Sequence, residues 1–328
     1  LIKPTSSLTG CVPELRPVRN WDFDLPNFRE QLGEIAENLE ADPEVRPVVS
    51  QTAKEFLVPP VIYIKNELEA DYRAIESKLP AHEFHAAEGN KQSFELEFAN
   101  IESRDAARDE LTAAGIRFRT GKALVPFRIS GNVEWGVKVP EMEGVDDLTV
   151  WCWPESLWAP VSFSATALEA RGEELSAVRD WWCSPDARVY QFIGQDNLYF
   201  YGVAQPALWM ALESGNAEVA YPQPGDLQQT TLIANHHILF GKVKASSSGA
   251  VKPPSADQLL EHYTVDQLRA HWLGLGLDVK SVGFKPKPFE ADEAKRNDPR
   301  VADPVLKEGA LLTNVFNRLA RSCFYEAG

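Results

Sequence analysis

Apolar residues at Phe28, Leu32, Ile35 and Leu39 recur at a helical period, so the chain predicts a helix from Phe28 with Asn27 as its cap. VRPVVSQTAKEFLV continues as a second amphipathic helix, and IYIKNELEADYRAIESKL reads as a third. The pattern then changes. SFELEFAN alternates Phe94, Leu96 and Phe98 with polar residues, which predicts a strand. SRDAARDELTAAG predicts a helix capped by Ser103 and closed by Gly115, and IRFRT a further strand. Residues 58–123 therefore read as a small strand–helix–strand module.

Beyond it, three short apolar or aromatic runs predict buried strands: LTVWCW (Leu148–Trp153), VYQFIG (Val189–Gly194) and TTLIANHHILF (Thr230–Phe240). ATALEARGEELSAVRDWWC and the stretch Leu198–Glu213 between them predict helices. Strands alternating with helices imply an α/β chain with a parallel sheet. Ligands of such sheets bind beyond the carboxyl ends of the strands. SADQLLEHYTVDQLRAHWLGL reads as helical from Ser255 or Ala256, residues 278–310 are charged and punctuated by proline, and Ala310–Phe324 predicts a last amphipathic helix. No internal repeat is visible.

The charge balance is acidic, −15 over 328 residues, which argues against a generally basic nucleic-acid surface and leaves RNA contact to local clusters such as Arg318 and Arg321. Hydrophobic residues make up 44% and charged residues 25%, the usage of a globular protein. Cys11, Cys152, Cys183 and Cys323 form no C-x-x-C pair and read as reduced thiols of a cytoplasmic protein. No apolar run reaches the ~18 residues of a membrane span. The start at Leu1, inside a loop-like LIKPTSS, suggests a piece of a longer chain.

Three segments carry candidate chemistry. Gly194-Gln195-Asp196 follows a predicted strand. The glycine would let a ligand approach the backbone and the acid would accept hydrogen bonds from ribose hydroxyls, although a plain turn has the same sequence. GKVKASSSG (Gly241–Gly249) offers lysines and backbone amides to phosphate oxygens, or is a linker. VWCWPESLWAP (Val150–Pro160) could wall an apolar pocket with Glu155 facing a ligand, or supply core aromatics. His236 and His237 would point to opposite faces of a strand, and no His or Cys pair has metal-ligand spacing, so no metal site is expected.

Taken in order, these segments resemble methionyl-tRNA synthetase, a class I aminoacyl-tRNA synthetase. LIKPTSSLTG and WDFDLPNFREQL are similar to its L-I-x-P-x-S-x-x-S-G and F-F-D-L-x-x-F passage, FRISGNVEWGVKVP to I-S-R-D-x-x-W-G-x-x-x-P, and LTVWCWPESLWAP to V-W-x-D-A-P-I-G-Y. VYQFIGQDNLYFYG resembles F-I-G-K-D-x-x-x-F-H, GKVKASSSG sits in the place of the KMSKS loop, and HYTVDQLRAHWL and TNVFNRLAR resemble the stretches that follow. The resemblance spans the chain except residues 58–123, which look like an insertion.

The resemblance implies the second half of a Rossmann-type parallel sheet with a small α+β insertion and a helical C-terminal region. The implied segments are a connective part with return helices (1–57), the inserted module (58–123), the catalytic half-domain (124–245), the loop and stem-contact region (246–309) and the start of an anticodon-binding bundle (310–328). It implies ATP, with Mg as its counter-ion, an amino acid (methionine) and tRNA as partners. It places adenosine at Gly194 and Asp196, triphosphate at Lys242, Lys244 and Ser246 to Ser248, and the amino-acid pocket at Trp151, Glu155, Trp158, Asn197 and Tyr201. The HIGH motif and zinc knuckles of the family would precede Leu1.

The departures bear on activity. Neither family lysine of the KMSKS loop is in its place, since Lys242 and Lys244 flank the first and Ser246 stands at the second, with Ser247 after it. Gln195 replaces the lysine of G-K-D, Tyr201 the histidine, Pro154-Glu155 the Ala-Pro, and Trp158 the tyrosine. Each cation lost beside a developing pyrophosphate is worth ~10²-fold or more in rate. Two alternatives therefore stay open: a catalytically degenerate paralogue that binds a nucleotide, RNA or a partner, and an enzyme for a different amino acid.

Overall fold

Leu25–Phe28 form a 3-10 turn before the first helix, because Pro26 is pre-set for a helical first turn. Asn27 is therefore not the cap. Its side-chain amide donates to Asp24 Oδ2 at 2.9 Å instead. In this computed structural model the described residues are 5–6, 9–14, 17–142, 144–145, 147–213, 221–240, 243–244 and 252–327. The chain divides into two units: Leu1–Asn38, Ala53–Val189 and Tyr199–Gln229 form one, and Leu39–Thr52, Tyr190–Leu198 and Thr230–Gly328 the other. Helices α1 (Arg29–Ala41) and α2 (Pro47–Leu57) carry the chain between their segments.

In the first unit, β1 (Asp22–Phe23) pairs antiparallel with β6 (Phe127–Arg128), and β7 (Ser130–Gly131) with β8 (Thr149–Val150). Within this unit the predicted module forms a complete four-stranded sheet with two helices. It runs β2 (Val61–Lys65), α3 (Glu69–Ile75), β3 (Glu83–His85), β4 (Ser93–Glu97), α4 (Ile101–Ala113) and β5 (Phe118–Thr120). The strands lie in the order β3-β4-β2-β5, all pairs antiparallel, which is the ferredoxin-like βαββαβ arrangement. IYIK is thus a strand and not helix: Ile62 and Ile64 face the core while Tyr63 and Lys65 face away. Helices α3 and α4 cover one face, closing a core of Ile62, Ile64, Tyr72, Phe94, Leu96 and Leu111, all at most 1% exposed. The cap of α4 is Asn100, whose Oδ1 accepts from Ser103 N at 2.8 Å, so Ser103 sits at the third helical position. Gly115 closes the helix at φ +73°, as its position predicts.

LTVWCW is only briefly extended. Helix α5 (Cys152–Ala170) starts at once after Trp151, which is its N-cap residue. Pro154 falls in the first turn, where the missing N–H needs no partner. The chain turns at Gly172 (φ +75°) before the short α6 (Val178–Trp182), so the predicted long helix is two. Phe200–Ala204 form a π-turn ahead of α7 (Gln205–Glu213); Pro206 cannot donate to the preceding turn, and the helix widens there.

In the second unit, β9 (Tyr190–Gly194) and β10 (Thr231–Asn235) pair in parallel. TTLIANHHILF breaks after Asn235, because His236 N turns aside to Leu277 O at 2.7 Å. It resumes as β11 (Ile238–Phe240), between β12 (Val243–Lys244) and β13 (Val282–Gly283). Capping boxes at Ser255 and Thr264 divide the next helical stretch into α8 (Ala256–Leu260) and α9 (Val265–Gly274). Three helices follow: α10 (Glu293–Asn297), α11 (Pro304–Leu311) and α12 (Asn317–Ala327). No helix among the described residues is long and apolar enough to cross a membrane.

His271 of α9 is buried, its ring lies against Phe284 at 5.6 Å, and neither ring nitrogen has a hydrogen-bond partner. Burial pulls its pKa below the usual histidine value, against the opposing charges of Glu308 and Asp303. The unfolded chain then takes up a proton near pH ~6.5 while the folded chain resists. The stability of this unit is expected to be level above that pH and to fall as pH drops towards 5. His271→Leu should flatten the slope, as read from denaturant midpoints between pH 5 and 7.

Candidate functional site

The register of β9 on β10 pairs Gly194 with Asn235, so both parallel strands end at one level. Gly194 is extended (φ −80°, ψ 150°), so its need for glycine is not conformational. An added Cβ would stand 2.7 Å from Asp196 Oδ1. The glycine exists to let the acid fold back over the strand end.

Asp196 accepts from Lys244 Nζ at 2.5 Å, both side chains about half exposed. That hydrogen bond holds the Asp196 carboxyl below the usual carboxylate range, so the acid is an ionised acceptor at neutral pH. Lys244 reaches it from β12, which runs antiparallel to β11 with Leu239 opposite Lys244. Arg46, at the start of α2, donates to Asn235 Oδ1 at 2.6 Å and to Ala234 O at 2.9 Å. Arg46 and Asn235 are additions to the site that sequence reading missed; 189 residues separate them, beyond any local pattern. Asn197 closes the 3-10 turn Gln195–Asn197 and is half-buried. Lys242, Ser246, Ser247 and Ser248 lie outside the described residues.

The pocket candidates Trp151, Glu155, Trp158 and Tyr201 belong to the other unit. Trp151 donates its backbone N–H to Ile129 O at 2.7 Å, and Arg128 lies over its ring at 5.4 Å. Glu155 is exposed. Trp158 packs on Trp209, with ring centroids 6.1 Å apart, beside Trp182 and Leu227. Tyr201 sits half-buried in the π-turn. Its neighbour Phe200 stacks on Trp153 at 3.6 Å and 5°, an aromatic contact the sequence reading did not single out. Tyr199, tucked against Phe56 and Phe127, has its phenol pushed up to about 12 by burial.

Elsewhere, Glu83, His85 and Glu97 bring ligand atoms within 4.8 Å of one another on the open face of the β3-β4 edge. Sequence spacing did not show this trio, because the register of β3 on β4 places Glu83 opposite Glu97.

The parallel strand pair thus ends in a glycine and an ionised acid, and a lysine of β12 meets that acid. The family model for tRNA synthetases class I (M) matches residues 99–292. The chain belongs to this family. Methionine--tRNA ligase of Chloroflexus aggregans is 31% identical over 203 residues, covering 60% of this chain and 33% of that protein. The Korarchaeum cryptofilum methionine--tRNA ligase is 24% identical over 291 residues, covering 89% and 38%. That of a Nocardioides species is 27% identical over 333 residues, covering 98% and 42%. The chain thus spans between 33% and 42% of the length of these curated relatives. A crystal structure of Mycobacterium tuberculosis methionyl-tRNA synthetase bound by methionyl-adenylate overlaps it with TM-score 0.35 at 18% identity, covering 80% of this chain and 48% of that one. The class I family match begins at residue 99, ahead of α4, and runs through Gly194, Asp196 and Lys244.

Proposed function

We propose that the chain is part of a cytoplasmic methionyl-tRNA synthetase-like protein that activates methionine with ATP and transfers it to tRNA. The observation that carries this reading is Lys244 on Asp196 at the carboxyl end of the parallel pair. An ionised carboxylate accepts the ribose hydroxyls of adenosine, and Gly194 leaves the backbone open to it. Lys244 would turn to the triphosphate, joined by Lys242 and Ser246 to Ser248, with Mg²⁺ travelling as the counter-ion of ATP. Asn197, next to Asp196, would face the amino-acid side. Residues 58–123 are read as an insertion and 310–328 as the start of a further helical region.

ATP–pyrophosphate exchange by the complete protein across a panel of amino acids tests this. Methionine-dependent exchange is expected, and residues 1–328 alone should form no methionyl-adenylate. Exchange with another amino acid would move the specificity. Nucleotide binding without exchange for any amino acid would establish the second reading, a degenerate paralogue. That reading is favoured by the sequence at the motif positions, where Gln195 stands in place of one family lysine and Ser246 in place of another.

A further inference from the structure

The open face of the inserted sheet is polarised. Alternation puts Glu83, Glu95 and Glu97 on the β3-β4 side and Lys65, Arg117 and Arg119 on the β2-β5 side. Tyr63 stands between, opposite Glu95 on one neighbour and Arg119 on the other. The Arg119 guanidinium lies over the Tyr63 ring, 4.7 Å from its centroid, so the ring backs one face of the guanidinium and leaves the other face open. Beside them opens a cleft of about 540 Å³, lined by Tyr63, Lys65, Arg117, Phe118 and Arg119, with Glu67 as its one acid. Glu67 sits 3.7 Å from Lys65, an exposed pair that an incoming anion can replace. Three cations and an aromatic plane in one cleft stand out in a chain of net charge −15.

We propose that this cleft holds a short stretch of single-stranded RNA, its phosphates on the N–H groups of Lys65, Arg117 and Arg119 and one base on the stacked pair that Tyr63 and Arg119 form. Aromatic and guanidinium planes take unstacked bases, and fixed cations track the backbone. The choice of RNA over another polyanion rests on the proposed reading as part of a tRNA ligase; the charge and shape of the cleft do not.

The test is fluorescence anisotropy of a labelled ten-nucleotide RNA titrated with residues 1–328 at several salt concentrations. R117E/R119E should weaken binding tenfold or more and make the log K against log salt slope shallower by about 1.4, ~0.7 for each lost phosphate contact. Y63A should weaken binding about fivefold or more with the slope unchanged, because stacking releases no counter-ions. K280E/K285E, lysines of the other unit, should bind as the parent does. Equal affinity and slope for R117E/R119E and the parent overturn the proposal, and so does an equal loss in K280E/K285E. Displacement of the RNA by an equal concentration of ATP overturns the strand in favour of a mononucleotide. Unlabelled tRNA that fails to compete, while R117E/R119E still loses the oligonucleotide, supports the cleft and counts against tRNA as the substrate.

Discussion

Gly194→Ala is expected to lower ATP–pyrophosphate exchange by the complete protein about a hundredfold, since a misplacement of about 1 Å in a reacting constellation has that effect. The new methyl would fall 2.7 Å from Asp196 Oδ1, and the short acid side chain is what gives way. Its displacement takes the carboxylate from the position proposed for ribose and loosens Lys244, whose ammonium it holds. The backbone itself tolerates alanine, because φ is −80°. Alanine also narrows the unfolded ensemble, worth ~0.4–1 kcal/mol. The variant should therefore keep or slightly raise its thermal midpoint while losing exchange. Asp196→Asn should show a similar loss with Gly194 in place. Unchanged exchange in Gly194→Ala would remove Asp196 from the nucleotide site.

Phe94→Ala is expected to cost the inserted module about 3–5 kcal/mol, the usual range for a buried phenylalanine. Phe94 is 1% exposed and its ring meets Tyr72 and Phe84, each at 5.2 Å. Amide exchange along β2 and β4 should accelerate by about two to three and a half orders of magnitude, a decade for each ~1.4 kcal/mol. None of the nine tryptophans lies in residues 58–123. The fluorescence midpoint should then barely move while exchange within the module speeds up. A coincident shift of both would mean that the module unfolds only with its surroundings.

Legibility in the sequence followed the length of the pattern. The β9 and β10 runs were readable as strands from their short apolar stretches, and Gly194 and Asp196 then fall at the strand end by counting, but the expected burial of β9 does not hold: Tyr190 and Phe192 are exposed and Gln191 faces inward. IYIK was not, because three apolar residues before a helical stretch satisfy both periods. Trp151 to Trp153 looked like more strand, although Pro154 within the first turn was the available sign of a helix start. The roles at the site needed distance as well as pattern. Lys244 and Asp196 are 48 positions apart, and only the order of the motifs suggested that they meet. Arg46 on Asn235 had no such guide. Trp158 illustrates the opposite limit: its residue type suits a core more often than a pocket, and its packing against Trp209 is visible only in three dimensions.

The first and last strands of the module are neighbours: Ile62 pairs with Thr120, and Gly121 N donates to Val61 O at 2.9 Å. The chain therefore departs into the module and returns within one strand spacing, ~4.7–4.9 Å. The module is a detour rather than a through-route. A very short linker would therefore span the distance between its two ends.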